Sequence, residues 1–209
     1  MPYIFQIASS ASEDRLEKLI EERLKPGVDK QAIDDRIWDL FGETWAVMFM
    51  DLSGFSRGVA EFGIIHFLQV IYEAQRLLVP SINRHDGILL KMEGDSMLVI
   101  FRRTLRAIEC AIDMQRTLHK YNQRRSDSEK VLLCVGLGYG RMLRIGDRDV
   151  FGPEVNAASK LGEDTAKAWE ILITSAVKKE AEGMSGVTFE ALDGVPPGAQ
   201  GAFRILYTR

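Results

Sequence analysis

Apolar residues recur along this chain in two periods, and the change from one to the other divides it. From Ser12 to about Leu24 the apolar positions Leu16, Leu19, Ile20 and Leu24 share one face at helical spacing. Ser12 is placed to cap that helix, Glu13 and Asp14 suit its positive end, and Pro26-Gly27 breaks it. Asp29 is placed to cap a second helix carrying Ile33, Ile37, Leu40 and Phe41, with Gly42 positioned to end it. Two amphipathic helices of this kind predict packing against the rest of the chain or against a second copy of it.

From Trp45 onward the apolar runs shorten and become continuous. Trp45-Ala46-Val47-Met48-Phe49-Met50 predicts a buried strand that delivers the chain into Asp51-Leu52-Ser53-Gly54-Phe55-Ser56. A helical pattern through Phe67, Leu68, Ile71, Tyr72, Gln75 and Leu78 follows and is expected to stop near His85-Asp86-Gly87. The runs Ile88–Glu93 and Ser96–Phe101 predict strands on either side of a Gly94-Asp95 hairpin. Residues Thr104 to about Asn122 predict a second long helix, with Leu105, Ile108, Ala111, Ile112, Gln115 and Leu118 on or near one face. The polar segment 123–128 is expected to be a solvated loop, and Val131–Gly136 a buried strand. Strand, helix, strand, hairpin, strand, helix, strand is the order of a ferredoxin-like βαββαβ core. The expected fold class is therefore α+β, an antiparallel sheet with helices on one face. Beyond Val155 the pattern adds a helix, a short strand at Ile171-Leu172-Ile173, a further helix and two closing strands near Val187–Leu192 and Phe203–Tyr207. The expected organisation is an N-terminal helical extension over 1–43 and one globular domain over 44–209.

Composition narrows the classes. The 209 residues are 46% hydrophobic and 27% charged, with a formal charge of −3. No basic field predicts nucleic acid or an anionic membrane as partner. Met1-Pro2-Tyr3-Ile4-Phe5-Gln6 has no signal-peptide pattern, and no apolar run is long enough to span a bilayer, so a cytoplasmic location is expected. Cys110 and Cys134 sit in apolar surroundings and are expected to be core thiols rather than a disulfide.

The candidate chemistry lies at strand ends. Asp51 closes one predicted strand and Asp95 sits in a hairpin between two others. Two such carboxylates, meeting at one end of a sheet beside mobile glycine backbone, suit hard divalent cations and hence phosphoryl chemistry on a nucleotide. Each motif taken alone fits an ordinary turn or cap. A third segment, Asp149-Val150-Phe151-Gly152-Pro153-Glu154-Val155-Asn156-Ala157-Ala158-Ser159-Lys160, changes the weight.

In order and spacing, Met50–Ser56, Lys91-Met92-Glu93-Gly94-Asp95 and Asp149–Lys160 resemble the class III nucleotidyl cyclase catalytic domain, and the resemblance extends from about Trp45 to Tyr207. It implies that Asp51 and Asp95, with the carbonyl of Leu52, hold two divalent cations, Mg²⁺ or Mn²⁺. Gly54 and Phe55, just before the next helix, are expected to face the triphosphate. Lys91 and Asp149 fall where the family reads its base; a lysine donating to adenine N1 and an aspartate accepting from its N6 amino group favour ATP over GTP. Asn156 matches the residue that orients the ribose. Lys160 stands where the family has an arginine that stabilises charge on the α-phosphate, a substitution that keeps the charge and loses the fork. Loss of such a donor costs roughly 100- to 1000-fold in rate. The closing stretch Gly194–Gly201 lacks the family's triphosphate-binding lysine, and the Gly140–Asp149 segment is shorter than the usual dimerisation arm; Arg141 and Arg144 are candidates to replace some phosphate-binding charge.

The resemblance thus implies an adenylate cyclase converting ATP to 3′,5′-cyclic AMP and pyrophosphate. Because one chain carries both halves of the family's shared site, it also implies a head-to-tail homodimer. The alternatives are a degenerate cyclase-homology module that binds nucleotide or dimerises, and a cyclase for a pyrimidine or guanine base. A diguanylate-forming enzyme of the same topology is disfavoured because its Gly-Gly-Asp/Glu-Glu-Phe hairpin is absent.

Overall fold

Strand β1 (Gly42–Leu52) is the rail on which the other elements are registered. Both of its faces are covered, which is why its sequence is a continuous apolar run rather than an alternating one. Ala46, Met48, Met50 and Leu52 point into the larger core, while Trp45 and Val47 point into a smaller one on the opposite face. The computed structural model describes residues 11–54 and 62–208.

Along its full length β1 pairs antiparallel with β4 (Leu133–Ile145), from Gly42↔Leu143 to Leu52↔Leu133. Its other edge pairs antiparallel with β3 (Ser96–Phe101), which pairs in turn with β2 (Ile88–Glu93). With β5 (Asp149–Phe151), β6 (Ile171–Thr174), β7 (Val187–Ala191) and β8 (Ala202–Tyr207) the strand order is β2-β3-β1-β4-β6-β8-β7, and β5 attaches to β4. The first four strands have the ferredoxin-like arrangement expected from the sequence, and the later ones extend the sheet. Among the described residues β4 and β6 form the one parallel pairing, Val135↔Ile171 to Leu137↔Ile173.

On the larger core pack α3 (Ile64–Arg84) and α4 (Thr104–Asn122). Helix α3 buries Phe67, Val70, Ala74, Leu78 and Ile82, spaced three and four apart as an amphipathic helix requires. Helix α4 is fastened by polar bonds as well. Gln115 Nε2 donates to Leu133 O at 3.0 Å; Asn122 donates to Val131 O at 2.8 Å and accepts from Val131 N at 2.9 Å. The loop after α4, expected to be merely solvated, is closed by a Ser126/Glu129 capping box over a turn at Asp127–Glu129.

The smaller core is covered by α5 (Pro153–Ser159), which continues into a π-helical turn (Lys160–Thr165). This short segment lies directly on the backbone of β4. A Cβ on Gly136 would stand 2.1 Å from Ala158 O, and one on Gly138 would stand 2.3 Å from Glu154 O. Helix α6 (Ser175–Glu180) packs on the larger core through Val177.

The N-terminal helices α1 (Ala11–Arg23) and α2 (Lys30–Phe41) join the fold through Leu19, Ile33, Ile37 and Phe41, which cluster with Ile145 of β4. Asp29 caps α2, accepting from Ala32 N at 3.2 Å. Ser12 lies one residue inside α1, so the expected cap is not at that position. Gly42 ends α2 as expected, but in extended rather than left-handed backbone (φ −75°, ψ 112°), because the chain passes straight from α2 into β1. Strand β1 therefore begins before Trp45. Strand β4 likewise runs nine residues past the expected end at Gly136: its glycines serve close packing rather than a turn.

The glycine contacts make a direct forecast for stability. Gly138→Ala is expected to cost about 2 kcal/mol through overpacking, lowering Tm by roughly 4–8 °C. Gly194→Ala, where an added Cβ meets nothing within 4 Å, should stay within about 0.5 kcal/mol of the parent. Thermal denaturation of the two variants side by side checks the contrast.

Candidate active site

Residues 51–54 leave the sheet at the end of β1. Ser53 N donates to Leu132 O at 2.8 Å, which anchors the exit, and Gly54 takes a left-handed conformation (φ +92°) in open space. The side chain of Leu52 is buried in the core. Phe55 lies outside the described residues.

Asp51 is on the smaller-core face of β1, directly opposite Cys134. Ser96 Oγ donates to Asp51 Oδ1 at 3.0 Å, tying the end of β1 to the first residue of β3. Asp95, one residue earlier in the hairpin, is close enough for a proton held on Asp51 to bond to it. Burial, followed by the Asp95 charge, holds the Asp51 carboxyl above the ordinary carboxylate range, against the opposing Ser96 bond. Burial also raises Asp95, and the charge of Glu163 adds to it. Burial and then the Asp51 charge push the Cys134 thiol up to about 11, so it is a neutral wall of this site.

Lys91 and Asp149, 58 residues apart in sequence, form an ion pair at 2.9 Å. Two local features bring them together. A β-bulge between Leu89 and Lys91 sets Lys91 opposite Leu98 and so turns it away from the larger core. At the far end of β4 the chain folds back as β5, whose Val150 packs with Leu98 and Ile100 and lays Asp149 over β2. Lys91 also lies 3.4 Å from Glu93, and the Asp149 bond holds its ammonium above the usual lysine range. Lys91, Asp149, Glu93, Ser96 and Glu163, floored by Phe49 and Leu98, line one cleft of about 210 Å³. Lys91 and Asp149 therefore share a cleft with Ser96, the residue whose hydroxyl reaches Asp51.

Asn156 projects from α5 into solvent. Its carbonyl accepts from Lys160 N, so the two residues keep one-turn spacing across the start of the π turn. The Lys160 ammonium is paired with Asp164 at 2.5 Å, and Ser159 donates to Glu163 alongside it.

Arg141 and Arg144, candidates for phosphate-binding charge, are committed elsewhere. The Arg144 guanidinium lies 4.9 Å from the Trp45 ring and pairs with Asp147 at 2.8 Å. That of Arg141 covers Trp38 at 4.7 Å. A second feature unexpected from sequence is a groove of about 690 Å³ between α1 and β5, lined by Leu16, Ile20 and Phe151 and reaching Lys91 and Asp149. Arg148 bridges it, donating to Glu13 at 3.3 Å. Ser96 and Glu163 also line the cleft, and sequence reasoning passed over both; strand register would have found Ser96, since it faces Asp51 across the β1–β3 pair. Among the described residues no three His, Cys, Asp or Glu side chains converge as a metal cluster, so the acidic centre is the Asp51–Asp95 pair.

The Asp51–Asp95 pair sets a pH dependence. Both carboxyls have folded values above their unfolded ones, so the native state holds more protons than the unfolded chain in that interval. Their contribution is favourable below the unfolded value near pH 4 and is lost as pH rises through the raised values. In chelator at pH 7.5, Asp51→Asn is expected to raise Tm by a few degrees, and the gain should vanish towards pH 4. Denaturation curves across that range check both sign and window.

Comparison with known proteins places this geometry. The family described as "Adenylate and Guanylate cyclase catalytic domain" matches residues 42–196. A Myxococcus xanthus protein named "Serine/threonine-protein kinase pkn2" is 29% identical over 131 residues, covering 63% of this chain and 16% of its own length. "Putative adenylate cyclase 3" of Rhizobium meliloti (strain 1021) is 26% identical over 144 residues, covering 69% of this chain and 24% of its own. The chain thus spans a quarter or less of these curated relatives. Among solved structures, an adenylate/guanylate cyclase/hydrolase from Silicibacter pomeroyi superposes with a TM-score of 0.67 at 22% identity, over 78% of this chain and 95% of that one. The adenylyl cyclase CyaB from P. aeruginosa gives 0.66 at 19%, over 80% and 96%. The guanylate cyclase domain of RhGC from Catenaria anguillulae, solved with GTP, gives 0.65 at 18%, over 80% and 98%. These likenesses carry the fold, and the family match extends over most of the sequence. The chain belongs to the adenylate and guanylate cyclase catalytic domain family.

Proposed function

We propose that this chain is an adenylate cyclase that converts ATP to 3′,5′-cyclic AMP and pyrophosphate as a head-to-tail homodimer. The observation that carries the base assignment is the Lys91–Asp149 pair, an ammonium and a carboxylate 2.9 Å apart at the cleft. Adenine offers an acceptor at N1 beside a donor at N6, the complement of that pair. Guanine would set an N–H against the ammonium and a carbonyl against the carboxylate. On this reading residues 1–43 are a helical extension and 44–209 the catalytic domain.

Asp51 and Asp95 are a fitting donor set for hard divalent cations, Mg²⁺ or Mn²⁺. They are two half-buried carboxyls; burial, and at Asp51 the neighbouring Asp95 charge, raises the cost of ionising them and so the gain from a cation between them. The Leu52 carbonyl is assigned as a further ligand. When bound, such ions lower the pKa of the ribose 3′-hydroxyl and brace the triphosphate. The rest is done by the chain. Gly54 and Phe55 are assigned to the triphosphate, the glycine because backbone without a Cβ can approach phosphate closely. Asn156 holds the ribose so that its 3′-oxygen lies in line with the α-phosphorus. As the 3′-hydroxyl gives up its proton to solvent and its oxygen bonds to the α-phosphorus, the bond from that phosphorus to the bridging oxygen of pyrophosphate breaks, and Lys160 exchanges Asp164 for the developing negative charge.

A second copy is required because the family's site takes its acidic pair from one domain and its base, ribose and transition-state residues from the other. The exposed apolar side chains of Ile65, Leu68 and Tyr72 on α3, just beyond the Asp51 loop, support an assembled state. The rival reading of a degenerate nucleotide-binding module draws on the Lys160–Asp164 pair and on the absence of a basic residue from Gly194–Gly201.

Purified protein incubated separately with ATP, GTP, CTP and UTP, in Mn²⁺ and then Mg²⁺, should yield cyclic AMP by mass spectrometry. Asp51→Ala and Asp95→Ala should abolish it, and Lys160→Ala should lower kcat about 100-fold. A different cyclic product overturns the base assignment; none, from folded protein, favours the degenerate module. Mixing Asp51→Ala with Asn156→Ala should restore about a quarter of parent activity, since half of random dimers are mixed and each keeps one of two sites. Absence of rescue between variants shown to dimerise removes the shared-site model.

A further inference from the structure

We propose that Glu154 is a positioning residue for Asn156, acting by locking α5 to an unpaired stretch of sheet edge. The inference rests on the cyclase reading, because Asn156 takes its role from it.

The β6-side edge of β4 is covered in two pieces. Pairing with β6 ends at Leu137↔Ile173, and pairing with β5 begins only at Leu143↔Phe151. Tyr139 lies in the gap, and its N–H donates to Glu154 Oε2 at 3.1 Å. Thr174, fully buried at the end of β6, donates its hydroxyl to the same oxygen at 2.6 Å. One carboxylate oxygen thus satisfies a strand N–H that would otherwise lack a ladder partner, and joins β4 to β6 through the first turn of α5. The backbone around it is equally constrained: a Cβ on Gly138 would meet Glu154 O, and one on Gly140 would lie 3.1 Å from Glu154 Cγ.

Helix α5 needs such a lock. It has seven residues, and Gly152 before it gives no side-chain cap. A helix of that length is not stable by itself, so tertiary contacts set its position. Asn156 and Lys160 are exposed and carry no bond to the sheet through their own side chains. Both take their position from the helix that carries them, which Glu154, two residues before Asn156, ties to the sheet. Any rocking of α5 on β4 moves both functional groups, and a displacement of about 1 Å costs on the order of 100-fold in rate.

Kinetics of the whole chain test this. Glu154→Ala is expected to lower kcat by about 10- to 100-fold with a smaller change in KM for ATP. Glu154→Gln, whose amide oxygen accepts the same two bonds, should stay within about threefold of the parent. In an Asn156→Ala background, Glu154→Ala should cost several-fold less than in the parent, the remainder acting through Lys160 on the same turn. Hydrogen exchange should quicken at the Tyr139 amide and at the amides of 155–160 in Glu154→Ala and not in Glu154→Gln. An unchanged kcat in folded Glu154→Ala overturns the inference, as does an equal loss in both backgrounds. If the parent forms no cyclic nucleotide at all, the cyclase reading falls. Exchange then decides separately: unchanged protection in Glu154→Ala removes Glu154 as the lock.

Discussion

The contact on which this structure depends is that of α5 and the π turn with the bare backbone of β4. Side chains on β4 would hold the helix several ångströms away. Gly136 and Gly138 remove that spacing, and Gly162 answers from the other side, with Phe49 O 2.8 Å from where its Cβ would be. The smaller core can then be closed by a seven-residue helix rather than a full layer. One face of the sheet is built for stability, with α3 and α4 packed on a wide apolar core, and the other is left shallow enough to hold a cleft. The cost is conformational: glycine in a strand gives up packing and loses entropy on folding. The long β1–β4 pairing, which flanks these glycines with complete hydrogen-bond ladders, offsets it.

Charge in the cleft follows from the same geometry. Asp51, Asp95, Glu93, Asp149 and Glu163 share the shallow face with Lys91, so the acidic groups there outnumber the basic ones. Asp149 is compensated by Lys91 and Glu163 is held by Ser159. Among the described residues the Asp51–Asp95 pair is steadied by the Ser96 hydroxyl and nearby backbone, and burial drives both carboxyls towards their neutral forms.

The N-terminal helices are part of this environment. Their apolar stripe meets Ile145 at the end of β4, and Glu13 holds Arg148, the residue next to Asp149. The side of α1 that faces the groove carries Glu13, Glu17 and Glu21. This acidic wall runs beside the Lys91–Asp149 pair, with Lys91 and Arg148 as the cations that line the groove.

Most of the architecture was legible in the amino-acid sequence, because the signals that specify it are local. Periodicity gave the two long helices, the hairpin around Gly94-Asp95 and the ferredoxin-like order. The three motifs gave the family, with Asp51, Asp95, Lys91, Asp149, Asn156 and Lys160 as candidates. Tertiary structure decided what depends on register and close approach. The bulge before Lys91 reverses the face it would otherwise occupy, and no residue type announces it. The fold-back of β4 into β5 carries Asp149 to Lys91 across 58 residues. Gly136 and Gly138, which in sequence look like places to stop a strand, let it continue beneath a helix. Arg144, a plausible phosphate ligand by position, is consumed by Trp45 and Asp147. Ser96 and Glu154 acquire partners only when strands that are distant in sequence come side by side. Local chemistry fixes which groups the chain carries; which of them meet is fixed by packing, since hydrogen bonds and ion pairs need ångström placement that only the assembled sheet provides.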